Sequence, residues 1–326
     1  MTARPAQTPK TKPISPVAPP ASEEPLPPKT LEEQLADALD KGDSARAGEL
    51  YTIIGQKALD NGQPADAIAN LQHALDVAPT TARARYLLAA AFAASGDADR
   101  SSREIRAAFD VDPADARAAD YRLLAKSLMA SGNASGAADA LKTAIRRYPA
   151  DVDLRIDLGG VLIASGRASD GLFELLYAQM LVRPDTPQAA RVASMTSALK
   201  TQTEQAKDDP DPVVELVFSY LDDAASDQYE LALPTLQEVV SKSGDSAFVP
   251  RLLLAQGFAA TGRLGESEKI LNQLLDQDPL SVPALAQLAG LYYTEGRVES
   301  AQKVVDRATR IDPQNPMLLN VVDAWK

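Results

Sequence analysis

The sequence contains no cysteine, a single histidine and a single tryptophan, and only 5% of its 326 residues are aromatic. Without thiols there can be no disulfide, no zinc–thiolate site and no thiol nucleophile, although the compartment stays open. Long apolar runs are missing as well. None approaches the roughly 18 to 20 residues that a membrane-spanning helix needs, and the N-terminus lacks the apolar core of a secretory signal. Positive charge is short: 33 Lys and Arg stand against 45 Asp and Glu, for a net charge of -12. Such a chain repels polyphosphate, and with no local basic cluster to offset this, general nucleic-acid binding is excluded.

Chemistry-bearing constellations are equally scarce. There is no Gly-rich phosphate loop, no G-x-S-x-G elbow, and no Ser or Lys in a nucleophile context. The lone His73 reads as a packing or surface residue. Asp208, Asp209 and Asp211 form the only dense acidic cluster, which lacks the Gly and distal Glu of a calcium loop and is stiffened by Pro210 and Pro212. It reads as a solvated turn. Asn133-Ala-Ser135 matches a glycosylation acceptor by chance. The sequence therefore predicts no catalytic residue, no cofactor and no metal site.

What is present is a repeat. Glycines recur at Gly62, Gly96, Gly132 and Gly166, and again at Gly262 and Gly296, in steps of about 34 residues. Prolines follow five of these six by seventeen residues, at Pro79, Pro113, Pro149, Pro279 and Pro313. Each unit reads as helix, Gly-containing turn, helix, proline stop. Frames opening at Gly48, Ala82, Ala118 and Val152 put large apolar residues at position seven (Ile54, Leu88, Leu124, Leu158). Position eight is small (Gly55, Ala89, Ala125, Gly159), as is position twenty (Ala67, Ser101, Ala137, Gly171). Position twenty-four is large (Leu71, Ile105, Leu141, Leu175), and position twenty-seven is always Ala. Small residues on both helices let their backbones approach, and the large ones fill the space toward the next unit.

These residues resemble the tetratricopeptide repeat family, above all the pairs Leu88-Ala89, Leu124-Ala125 and Leu158-Gly159 with their closing prolines. Two later units, 248–281 and 282–315, fit equally well, through Leu254-Ala255 and Leu288-Ala289. The resemblance implies an all-α, right-handed superhelical solenoid of helix–turn–helix repeats. The beat fails between about 185 and 245, where a helix from about Gln188 to Lys207 stands alone before a degenerate pair, Val213–Ala225 and Gln228–Lys242. The expected organisation is therefore a Pro/Ala-rich disordered arm (1–29), an N-terminal helix plus four repeats (30–185), an irregular helix plus degenerate repeat (186–247), and two repeats with a capping helix (248–326). The arm, with nine prolines before Lys29, reads as a solvated spacer. At position four, Arg85 and Arg251 are expected to lie over the preceding repeat.

In this family the first helices of successive repeats line a concave groove, through positions two, five, nine and twelve. Applied here, Arg83, Tyr86, Arg122, Lys126, Met129 and Ile156 form the candidate partner-binding set. Three cations beside apolar side chains would suit a peptide with acidic and apolar residues. The last two repeats present an apolar inner face, suited to holding a helix or packing on the middle segment. The leading function is a non-catalytic scaffold for protein partners. The alternative is a structural subunit of a multi-protein assembly of the bacterial envelope or motility type, with the arm as tether. Location reads as cytoplasmic, or as periplasmic or envelope-associated should a signal or anchor precede this chain.

Overall fold

A computed structural model of the chain describes residues 29–206, 211–244 and 247–325, and every regular element among them is a helix. The expected arm lies outside the described residues except for Lys29, whose ammonium pairs with Asp37. Thr30 opens α1 (Leu31–Asp40) with a reciprocal capping box, its hydroxyl accepting from the Glu33 N–H while the Glu33 carboxylate accepts from the Thr30 N–H. Four helix pairs follow: α2 (Ser44–Asp60) with α3 (Pro64–Val77), α4 (Ala82–Ala94) with α5 (Ala98–Val111), α6 (Ala118–Ala130) with α7 (Ala134–Arg147), and α8 (Val152–Ala164) with α9 (Ala168–Leu181). The lone helix is α10 (Pro187–Gln205); its expected last residue, Lys207, lies outside the described residues. The degenerate pair is α11 (Pro212–Ala225) and α12 (Tyr229–Ser243). Then come α13 (Phe248–Ala260) with α14 (Leu264–Gln277), α15 (Val282–Thr294) with α16 (Val298–Ile311), and the cap α17 (Pro316–Asp323). Helix α2 opens four residues before the repeat frame, because Asp43 accepts the N–H of Arg46 and caps it there.

The turn within each pair explains the glycine beat. At Gly96, φ is +86°, which a side chain would resist, and the next N–H, of Asp97, reaches back to the Phe92 carbonyl at 2.8 Å. The degenerate pair makes the same turn with Asp227 at φ +56°, its neighbour Gln228 bonding the Asp223 carbonyl at 3.0 Å. Asp227→Gly should therefore stabilise the chain by about 0.5–1 kcal/mol by removing left-handed strain. Urea denaturation checks it; a loss of stability would show that the Asp side chain contributes something the turn needs.

Positions twenty-four and twenty-seven are buried in all seven pairs, including Leu236 and Val239 of the degenerate one. Helices α8 and α9 approach closely where two glycines, Gly159 and Gly171, face each other. Where position twenty is Ser, the hydroxyl is satisfied: Ser101 meets Ser127 at 2.8 Å, and Ser267 donates to the Ala255 carbonyl at 2.8 Å. The arginines at position four, expected over the preceding repeat, also bond within their own. Arg85 meets Glu104 at 2.9 Å and Arg251 meets Gln273 at 2.5 Å, because the second helix presents those acceptors alongside the stem. Arg85 also donates to the Pro79 carbonyl of the preceding loop.

The array does not run on smoothly. Helix α10 touches both α8 and α9, as a first helix of a fifth repeat would, but no second helix follows it. The chain instead turns back, so that α9 packs against α11, α13 and α17. Leu172, Leu176 and Tyr177 of α9 share one core with Val214 and Val217 of α11, Val249 and Leu252 of α13, and Leu318 of α17. Tyr177 is central to this seam. Its hydroxyl lies 2.8 Å from the Ser281 hydroxyl at the start of α15, its ring is 5.9 Å from that of Phe248, and the Arg155 guanidinium lies over the ring at 3.9 Å. Burial pushes the Tyr177 phenol up, against the pull of Arg155 and Ser281. Asp211, read as part of a solvated turn, caps α11 and also accepts the Ser169 N–H at the start of α9. A carboxylate at a helix N-terminus finds amide donors there, which is why it leaves the solvent. Asp208 and Asp209 lie outside the described residues.

Candidate functional site

The inner faces of the two arrays differ. In the later repeats Val249, Leu252, Pro283 and Ala286 are buried, and α9 packs on α13 and reaches Ser281 at the start of α15. Of the two outcomes expected for this apolar face, it holds a helix: the occupant is α9, the last helix of the first array and not part of the middle segment. In the first array an open cavity of about 510 Å³ remains between α6, α8 and α10. Its apolar floor is made by Met129, Leu141, Ile156 and Val161, and Gly160 leaves room beside them. Ile156 is fully buried and forms floor, not edge. Arg122, Lys126, Asp157 and Arg191 stand at its polar side.

The charges are organised as a lattice. Asp157 accepts from Arg122 at 2.6 Å and from Arg191 at 2.5 Å, while Asp153 lies 3.8 Å and 3.4 Å from the same two guanidinium groups. For Arg122, burial works against the charge, but the bond to Asp157 and the fields of Asp157 and Asp153 outweigh it and raise its pKa. The cationic cluster expected from the sequence is therefore corrected: Arg122 is already neutralised, because Asp157 reaches it from the next repeat. Lys126 is exposed and makes no ion pair among the described residues. Arg83, also exposed, donates to the Gln56 side chain at 3.1 Å in the neighbouring repeat and does not line the cavity.

Tyr86 needs a second correction. It is 3% exposed and turned into the core, with its ring 5.9 Å from Phe109, whose own ring is 4.6 Å from Tyr121. Its hydroxyl has no hydrogen-bond partner among the described residues. Burial, with the fields of Asp120 and Asp115 behind it, pushes that phenol up to about 12. It cannot touch a groove ligand. Of the six candidate residues, the cavity brings together Arg122, Lys126, Met129 and Ile156. Gly160 falls at groove position nine of its repeat, as the sequence places it, whereas sequence reasoning passed over Asp157 and Arg191 as cavity residues. Continuing the frame from Val152 by one period would have set Arg191 at position six, level with Asp157.

Among the described residues no group of three or more His, Asp or Glu could hold a metal ion, and no helix is long and apolar enough to cross a membrane. His73 is at the surface beside Asp76, with its ring 5.4 Å from that of Tyr51.

The profile of the tetratricopeptide repeat matches residues 58–126, 128–199 and 258–322, together well over half of the sequence. The chain belongs to the tetratricopeptide repeat family. Membership supports a general role as a scaffold for protein–protein interaction. No curated protein matches the chain. Solved structures do. One is MamA, with 17% identity over 50% of this chain and 96% of that one, at a TM-score of 0.39. Another is pilF of Pseudomonas aeruginosa, with 14% identity over 87% and 100% of the two chains, at 0.37. A third is a tetratricopeptide repeat protein of Parabacteroides merdae, with 10% identity over 85% and 97%, at 0.40. Membership of the tetratricopeptide repeat family rests on the sequence match and not on these superpositions.

Proposed function

We propose that the cavity between α6, α8 and α10 holds a short segment of a protein partner, carrying a bulky apolar side chain with an acidic neighbour. One observation supports this above the others: an apolar floor of Met129, Ile156 and Val161 lies beside the unpaired ammonium of Lys126. A Leu- or Phe-sized side chain leaving water for that floor gains about 2–3 kcal/mol. An adjacent carboxylate then finds a charge-assisted bond at Lys126. The lattice of Arg122, Arg191, Asp153 and Asp157 holds the walls in place before the partner arrives, so little ordering cost falls on this chain.

The test is fluorescence anisotropy with a labelled peptide bearing Leu between two Glu residues. Lys126→Glu should weaken capture about tenfold at low salt, and the difference should shrink as salt screens it. A peptide with Gln in place of Glu should bind both forms alike. Equal capture of the acidic peptide by both forms at low salt would sink the assignment.

A further inference from the structure

Position nineteen, in the first turn of each second helix, carries Asp66, Arg100, Gly136, Asp170, Glu266 and Ser300 in the six regular repeats. The degenerate repeat puts Leu231 there, and at 68% exposure it is the most exposed large apolar side chain among the described residues. One turn later Pro234 is also exposed, inside the helix, where it removes the N–H that would bond the Glu230 carbonyl. Glu230 and Asp227 flank this knob, both exposed and without an ion pair among the described residues. A helix in a stable array has no need of such a face toward water.

The molecule itself shows what an apolar outer face does. At position twenty-five the regular repeats carry Gln72, Arg106, Lys142, Asn272 and Asp306, whereas α9 carries Leu176, followed by Tyr177. Those two are buried, because α9 packs on α13 and reaches Ser281 at the start of α15. On α12 position twenty-five is Gln237, and the apolar Leu231 stands uncovered on another face of the same helix; the first array has an uncovered inner cavity. An apolar knob with an acidic rim faces water on one element; an apolar cavity with a Lys126 rim faces water on another.

We infer that the Leu231 knob of one copy docks in the α6–α8–α10 cavity of a second copy, with Glu230 or Asp227 meeting Lys126. This rests on the reading of that cavity given above and names its partner. Knob and cavity lie on different elements, so the contact is heterologous: a pair keeps one free knob on one copy and one free cavity on the other, and association continues beyond it.

Sedimentation velocity of the full chain over about three decades of concentration tests this, since weak contacts of this size populate only toward the high end. The weight-average mass should rise with concentration for the native chain. Leu231→Glu and Lys126→Glu should each stay at the mass of one chain. Mixed together, they should form one-to-one pairs and stop, because the first keeps an intact cavity and the second an intact knob. Leu231 is exposed, so its replacement leaves the fold in place, which circular dichroism confirms. A native chain that stays monomeric, growth that ignores either substitution, or a mixture that does not pair overturns the inference. The acidic peptide, tested on Leu231→Glu, separates the two readings. Capture of the peptide by a chain that never self-associates leaves the cavity assignment standing and gives it another partner; loss of both removes both.

Discussion

Gly171→Ala is expected to destabilise the protein by about 3 kcal/mol, a large effect for a single methyl group. A Cβ at Gly171 would lie 2.7 Å from the Gly159 carbonyl oxygen and 3.0 Å from the Ile163 backbone N. The nearest atom of all, Ile163 Cγ1 at 2.6 Å, can turn away, but these two obstacles are backbone, so no rotamer change relieves them and α8 and α9 must move apart. That movement would also disturb Leu175, which packs over Gly159, and the α9 face that carries the seam. Urea denaturation followed by circular dichroism measures the loss. Gly265→Ala is the control: a Cβ there meets nothing within 4 Å, and the helix gains the better helix former. Were both variants equally stable, the close approach of α8 and α9 would not be a stability determinant.

Tyr177→Ala should cost about 3–5 kcal/mol, the range for deleting a buried aromatic side chain. Three partners lose their contact at once: the Ser281 hydroxyl, the Phe248 ring and the Arg155 guanidinium. More telling is the shape of the transition. Neighbour-only contacts make a repeat array quasi-one-dimensional, and cooperativity between distant units needs an interface strong enough to couple them. Tyr177 joins residues 104 positions apart, so its removal should split one unfolding transition into two. Tyr177→Phe keeps the ring and should cost only about 1 kcal/mol, with the single transition preserved. Hydrogen exchange resolved by segment would assign the earlier step. A single transition in the Ala variant would mean that Leu172 and Leu176 couple the arrays without it.

Much of this fold can be read from the residues because each repeat is stabilised locally. Gly96 and its counterparts mark a turn that only a left-handed residue closes, and the closing prolines mark where each second helix ends. The same local logic carried Ala232, Leu236 and Val239 to their buried places in the degenerate pair. Contacts across the period were harder to see. Arg122 is paired by Asp157, thirty-five residues on, and by its shared acceptors with Arg191 on the unpaired helix. Tyr86 sits at a groove position of the repeat, yet Phe109 draws its ring into the core. The seam did leave a signal. Helix α9 is apolar on its outer face as well as its inner one, with Leu176 and Tyr177 where other repeats carry polar or small residues, and a helix apolar all round is one that is covered on both sides.

The unpaired helix α10 sets the geometry of everything after it by simple parity. Helices in the first array alternate between an inner and an outer layer, so an even number always returns the chain to the layer where it began. One odd helix ends on the inner layer, and α11 must then start from the wrong side of the stack. The second array cannot continue the first in register; it begins again and folds back on α9. Supplying one more helix after Gln205, with Ala and Leu at the spacings of α5 or α7, would restore the alternation. A single helix, by its presence or absence, thus decides between an extended spiral and a doubled-back body from otherwise unchanged repeats.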